Sequence, residues 1–262
     1  MFYMMKINVL VLFAALFFAN ISFGQSQNPY ENVEFDAWSI AVQSKGNSPN
    51  IIDFVNALFG GETEDELSGM VGDAWKRHLS KKAPNLGESW VVDAKNGYAR
   101  YDLDLKTAYP DFEDNEALFV EMCYWNCVDG THKVVAENIG TTIDGILQKD
   151  GQFTGLVFYL YDSKTHLLAN ISGEDLGLID FYESLPEETY AIEDGHYYAK
   201  DHYTGEMRRM DSDEFEQWYR QRSTVSYALP RSGKNIEVTI RTAKETTKRT
   251  CVWDGSRFRL SD

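Results

Sequence analysis

Residues 117–140 read ALFVEMCYWNCVDGTHKVVAENIG, and this stretch decides the fold. Between positions 118 and 128 the even residues are Leu118, Val120, Met122, Tyr124, Asn126 and Val128, and the odd ones are Phe119, Glu121, Cys123, Trp125 and Cys127. Both sets are mostly apolar. A half-solvated strand alternates apolar with polar side chains, so this run predicts a strand covered on both faces. Asp129-Gly130 then supplies the positive φ angles of a type I′ turn, and residues 133–137 return as the partner strand. The pair reads as the central hairpin of an antiparallel sheet.

Working outward, residues 152–161 (QFTGLVFYLY) form a second strand apolar on both faces, turned back at 162–165 into 166–172. Two adjacent buried hairpins imply at least four central strands. Upstream, residues 89–94 and 98–103 flank Lys95-Asn96-Gly97, and Asn-Gly is a strong hairpin signal. Between these hairpins lies the acidic connector YPDFEDNE at 109–116. It has neither the glycine nor the closing bidentate acid of an EF-hand loop, so it reads as a solvated turn. The chain ends in strands over 224–229, 236–242, 247–253 and 257–260, with Asp254-Gly255 at the last turn.

Helices are expected mainly near the N-terminus. Ser48-Pro49-Asn50 opens one over 51–59, which Gly60-Gly61 stops. Thr63 and Glu66 have capping-box spacing, and Leu67, Met70, Val71, Ala74, Trp75, His78 and Leu79 follow as one apolar stripe. His78 on that stripe reads as a core or boundary histidine. Residues 35–43 (FDAWSIAVQ) fit helix or strand and lean to helix, and a short helix is expected between 173 and Pro186. Asp211 with Glu214 reads as a cap opening a helix over 212–222. The predicted class is α+β, with N-terminal helices packed on an antiparallel β-meander built from hairpins.

The first residues, MFYMMKINVLVLFAALFFANISFGQ, carry one lysine, an apolar core too short to span a membrane, and small residues at Ser22 and Gly24. This is the pattern of a secretory signal peptide over 1–24, followed by one exported domain over 25–262 with a possible sub-boundary near Gly173. Gln25 stands where a lipoprotein needs cysteine. The 262-residue chain has 25 Lys and Arg against 41 Asp and Glu, a net charge of −16. Its basic runs are too short to outweigh that acidity, which argues against nucleic acid and anionic membrane surfaces. Cys123 and Cys127 are four apart; in a straight strand their Cα atoms would be about 13 Å apart, beyond disulfide range. Buried free thiols, or a link from Cys251 to either, are both open readings.

The most polar-aromatic stretch is YAIEDGHYYAKDHYTGEMRRM at 190–210. Aromatic side chains give large contact area at low entropic cost, which makes His196, Tyr197, Tyr198, His202 and Tyr203 the candidate ligand-binding residues. His196 and His202 would share a strand face, but a zinc set with Asp194, Asp201 and Glu206 needs the chain to fold back. A solvated hairpin with Thr204-Gly205 at its tip is the simpler reading, so no metal site is assigned. Trp125 reads as core. Glu121 stands on an otherwise apolar strand, where a carboxylate must find partners or take up a proton.

The segments CYWNCVDG (123–130), YTGEMRRMDSDEFEQWY (203–219) and VWDGSRFRL (252–260) together resemble uncharacterised exported proteins of Gram-negative bacteria. That resemblance implies an exported antiparallel fold without assigned activity, and carries no catalytic residues over. The chain lacks a G-x-S-x-G elbow, an H-E-x-x-H pair, a phosphate loop and a dinucleotide fingerprint. The leading expectation is a periplasmic or secreted binding or interaction protein without catalytic activity, without a cofactor and without a membrane span after signal cleavage. Its partner would be a small molecule, a glycan or an envelope protein. The alternative is an envelope hydrolase using Glu121, His196, Asp201 and His202.

Overall fold

The computed structural model describes residues 30, 33–36, 39–44, 46, 48–61, 63, 65–111, 115–143, 146–147, 155–179, 181, 188–193, 196–201, 206–215, 224–242 and 245–261. The chain divides into Met1–Asn32 and Val33–Asp262. Within the first, Tyr30 alone is described, so the signal-peptide stretch lies outside the described residues. The second unit carries the fold.

In chain order its strands are β1 (Ile40–Ala41), β2 (Glu88–Asp93), β3 (Tyr98–Asp104), β4 (Glu116–Asn126), β5 (His132–Ile143), β6 (Ile146–Leu147), β7 (Gly155–Asp162), β8 (Leu167–Ile171), β9 (Glu188–Glu193), β10 (His196–Asp201), β11 (Met207–Met210), β12 (Thr224–Ala228), β13 (Asn235–Arg241), β14 (Thr246–Trp253) and β15 (Phe258–Leu260). Among the described residues the helices are α1 (Ile51–Phe59), α2 (Glu66–Leu79) and the single turn α3 (Leu105–Ala108), and residues 212–215 are also helical. The protein is α+β, mostly antiparallel sheet with a few helices. One sheet has eight strands, with β1-β8-β7-β5-β4-β3-β2 as its path and β6 on β5. A second has three, β11-β10-β9, and a third four, β12-β13-β14-β15.

The hairpin of β4 and β5 lies at the middle of the large sheet, with Glu121 opposite Asn138 and Cys123 opposite Ala136. Its two faces are covered by different material. On the face of Met122 and Val120, the buried cluster also contains Ala99, Tyr101, Leu103 and Val135 from the sheet. Ile51, Phe54 and Val55 of α1 and Leu67, Val71, Ala74 and Trp75 of α2 belong to the same cluster. Phe54 meets Tyr124 edge-on at 5.4 Å, and Trp75 lies 4.9 Å from Trp90. On the opposite face Trp125 contacts Trp253 and Phe258 of the C-terminal sheet, at 6.1 and 5.1 Å. Apolar residues on both sides of β4 follow from this double cover.

Several local expectations are corrected. Asp129-Gly130 does not make a type I′ turn, because only Gly130 has positive φ, 69°, while the hairpin expected at Asn96-Gly97 forms with positive φ at Gly97 alone, 73°. The Asn96 amide donates to the Asp93 carbonyl and the Gly130 amide to the Cys127 carbonyl, both at 3.1 Å, and side chains reinforce these turns. Asp129 Oδ1 accepts from the Thr131 and His132 amides, and Asp93 Oδ1 accepts from the Asn96 amide. Asp and Asn side chains commonly bond the backbone of their own turn in this way. Gly97 is also sterically fixed, since a Cβ there would stand 2.8 Å from the Tyr124 ring.

Residues 40–41 form a strand and not a helix. Ile40 pairs with Leu168 on β8, a long-range partner that overrides the ambiguous local pattern. The α2 cap is Asp65, whose Oδ2 accepts from the Ser68 amide at 2.7 Å, while Thr63 Oγ1 accepts from the Asp65 amide. The full capping box falls on α1, where Asn50 Oδ1 accepts from the Ile52 amide and Asp53 Oδ2 from the Asn50 amide. Residues 173–177 are turn, and residues 180 and 182–186 of the stretch in which a short helix was expected lie outside the described residues. His78 is exposed, with its ring stacked on Trp75 at 5.4 Å. The Asp211–Glu214 cap is present: Asp211 Oδ1 accepts from the Glu214 amide at 2.8 Å. Residues 216–222 of its helix lie outside the described residues.

Candidate functional site

Glu121 is 4 % exposed at the centre of the large sheet. Its carboxylate is fully engaged. The Tyr98 hydroxyl donates to Oε1 at 2.6 Å, while Asn138 Nδ2 and the Leu229 amide donate to Oε2 at 3.2 and 2.9 Å. Arg100 Nη1 stands 3.7 Å from Oε1. Burial, and then the Glu121 carboxylate, push the Tyr98 hydroxyl well above its usual range. Asn138 Nδ2 also donates to the Tyr227 carbonyl at 2.8 Å, and Trp125 Nε1 to the Lys234 carbonyl at 3.0 Å. The cluster therefore stitches the large sheet to the segments around β12 and β13. Charge-assisted bonds in a dry interface are the strong ones, so its chemistry is structural.

Glu137 faces the other way, 6 % exposed, and takes one hydrogen bond from Tyr159 Oη at 2.9 Å. Burial pushes its carboxyl above the ordinary range; the Tyr159 bond opposes this and the Asp65 charge adds to it. None of the three cysteines is in a disulfide, and all three are buried. Burial pushes the Cys251 thiol up to about 11 and Cys123 well above its ordinary value, so neither has thiolate character at neutral pH.

Of the sequence candidates, His196, Tyr197 and Tyr198 lie on β10, between β9 and β11. Tyr197 stacks on Phe215 at 4.1 Å, and His196 is exposed with Arg209 Nη2 3.0 Å from its Nδ1. His202 and Tyr203 lie outside the described residues, as does Asp194. Among the described residues, the groups bonded to Glu121 come from β3, β5 and the end of β12, and none from β10. Also among the described residues, no group of three or more His, Cys, Asp or Glu is placed to hold a metal ion.

A site that the sequence did not single out lies at the opposite end of the sheet path. Asp53, Asn56 and Ala57 of α1, the following Gly60 and Gly61, and Ala41, Gln43 and Ser44 in and after β1 line a solvent-open cleft of about 580 Å³, in which Ala41, Gln43, Asn56 and Gly61 are exposed. Its two walls are positioned by separate devices. The Asn50–Asp53 capping box fixes the start of α1, and Trp75 Nε1 donates to Asn56 Oδ1 at 2.6 Å. Pairing with β8 fixes β1, and the Val42 amide donates to the His166 carbonyl at 2.9 Å. The volume falls within the range of about 300–1,000 Å³ usual for small-ligand sites, and the polar groups are hydrogen-bonding types. Only the 3.6-residue spacing of Asp53, Asn56 and Ala57, followed by Gly60-Gly61, was available to mark it in sequence, and that spacing is common to any polar helix face.

Comparison of this chain with protein-family models, with curated proteins and with solved structures finds no match.

Proposed function

We propose that the protein is an exported binding protein that holds a small polar ligand in the cleft between α1 and the β1 segment. The observation that carries this is the cleft itself, lined by Gln43, Ser44, Asp53 and Asn56 on backbone fixed from both sides. Polyhydroxylated ligands such as sugars suit that mix of amide, hydroxyl and carboxylate groups. Export is supported by the N-terminal sequence pattern and by the resemblance to exported Gram-negative proteins. In this reading α1 and α2 are the cover laid over the meander, and the cleft is the gap left where that cover meets the sheet edge. The β10 surface with His196, Tyr197 and Tyr198 is the second face available to a glycan or envelope partner. Among the described residues no helix is long and apolar enough to cross a membrane. The hydrolase alternative loses support at Glu121, whose lone pairs are committed to three donors.

A thermal-shift screen against sugars, amino acids and short peptides tests the reading, because a ligand that binds only the folded state raises Tm by mass action. Gly61 has open space where a Cβ would go, so Gly61→Trp fills the cleft without a described clash. A ligand shift abolished by Gly61→Trp, with unliganded Tm unchanged, is the expected result. A shift that survives Gly61→Trp and is lost in Tyr198→Ala moves the site to β10 and overturns the cleft assignment.

A further inference from the structure

The electrostatics of the cleft narrow its ligand. The α1 helix ends at its rim, and the C-terminal end of a helix carries partial negative charge on carbonyls without intrahelical partners. The last turn of α1 contains no basic residue to offset this. The Gly60 amide returns to the Asn56 carbonyl at 2.9 Å, while no described backbone amide outside the helix reaches the carbonyls of Ala57 and Leu58. Asp53 contributes a carboxylate from the first turn of α1: its Oδ2 caps the helix, and its Oδ1 has no hydrogen-bond partner among the described residues. The Asn56 side chain has its oxygen occupied by Trp75. No Lys, Arg or His is among the described lining residues, and the chain carries a net charge of −16.

We infer that the cleft selects a small polar molecule bearing a primary ammonium group, seated between the Asp53 carboxylate and the C-terminal carbonyls of α1. This rests on reading the cleft as the ligand site. A neutral polyol would satisfy Gln43 and Ser44 equally well but would leave Asp53 Oδ1 and the helix end uncompensated. An anion would meet like charge.

The test uses matched pairs at pH 6 and low salt: glucosamine against N-acetylglucosamine, and putrescine against 1,4-butanediol, followed by thermal shift and titration calorimetry. At least one amine should bind tenfold or more tightly than its neutral twin, with affinity falling as salt rises. Asp53→Asn keeps an oxygen to cap α1 and should abolish that preference, and Gly61→Trp should abolish binding. Equal binding of a neutral twin, lost in Gly61→Trp, overturns the ammonium inference and leaves the cleft as the ligand site. Amine binding that persists in both variants overturns the inference and the cleft reading together. Absence of binding by either amine overturns the inference.

Discussion

Replacing Glu121 should destabilise the fold in proportion to the donors it leaves unmatched. The carboxylate receives three hydrogen bonds, from Tyr98, Asn138 and the Leu229 amide, and has Arg100 within ion-pair distance. Hydrogen bonds to a buried charged group contribute about 1.5–3 kcal/mol each, and an orphaned buried donor costs about 1–3 kcal/mol. Glu121→Gln retains the shape and one carbonyl oxygen. Its amide nitrogen can face Tyr98, whose hydroxyl can turn to accept, so the loss is the charge, the Arg100 attraction and one good acceptor, about 2 kcal/mol in all. Glu121→Ala orphans every donor and opens a void, which brings the cost to about 4 kcal/mol. At about 2–4 °C per kcal/mol for a chain of this size, Tm should fall by about 4–8 °C and about 8–16 °C. Thermal unfolding by circular dichroism gives the ranking, and hydrogen exchange gives the location. The Leu229 amide, bonded to Glu121 across 108 positions of sequence, should lose protection in Glu121→Ala before the amides of β4 do. If both variants melt within about 1 °C of the parent, Glu121 is not what clamps the C-terminal sheet, and its burial needs another account.

Glu137→Gln should behave in the opposite way. Its carboxyl is raised in the folded state, chiefly by burial, so the native protein holds this proton more tightly than the unfolded chain does. Its favourable contribution is complete below the unfolded value of about 4.3 and declines as pH rises through the folded value. Glu137→Gln should therefore leave stability equal or higher at pH 7 and flatten the fall above pH 5; chemical denaturation at pH 4, 5.5 and 7 measures this, and marked destabilisation at pH 7 sinks the argument. Gly97→Ala combines a positive φ with a 2.8 Å approach to the Tyr124 ring, whereas Gly130→Ala meets nothing within 4 Å. The second should cost about 1–2 kcal/mol and the first clearly more, and equal denaturation midpoints would falsify the steric argument. The three buried thiols should react with a thiol reagent only on unfolding, giving three equivalents in denaturant and almost none in the native protein; rapid native labelling of any of them contradicts their burial.

What the sequence made legible was local or periodic. The strand at 118–126 showed itself because both of its faces are apolar, and Glu121 stood out as the one carboxylate among them. Its partners did not. Leu229 and Tyr227 reach it and Asn138 only because the C-terminal sheet docks on that face. The residues around 40 were misread for the same reason, since two residues become a strand when Leu167 and Leu168 offer a free edge. The turns went astray through side chains. A dipeptide rule registers Asp-Gly and Asn-Gly, but the Asp129 and Asp93 carboxylates bond amides within these turns, which need positive φ only at the glycine. The cap of α2 moved from Thr63 to Asp65 because two oxygen-bearing side chains compete within one turn, and the carboxylate reaches the Ser68 amide. The cleft was illegible because its walls come from two segments, 41–44 and 53–61, each of which reads alone as an ordinary polar surface.

The two covers of the large sheet are held by different physics, and that difference bears on where a ligand can act. The C-terminal sheet is joined through directional bonds to backbone groups: Glu121 to the Leu229 amide, Asn138 to the Tyr227 carbonyl, Trp125 to the Lys234 carbonyl and Trp253 to the Asn126 carbonyl. Any slip of that layer orphans buried polar groups, so its position is specified in all directions. The apolar cluster that brings Phe54 of α1 together with Trp75, Tyr101 and Met122 resists separation but is non-directional, whereas α2 is also tied to β2 by Arg77, whose Nη2 donates to the two Glu88 carboxylate oxygens at 2.7 and 2.8 Å. A displacement of α1 that keeps its apolar face covered therefore costs less than the same displacement of β13. The cleft opens along α1. A ligand seated there acts on the layer that can yield, and the order it imposes should appear as added amide protection in α1 and β1, with β12 to β14 unchanged.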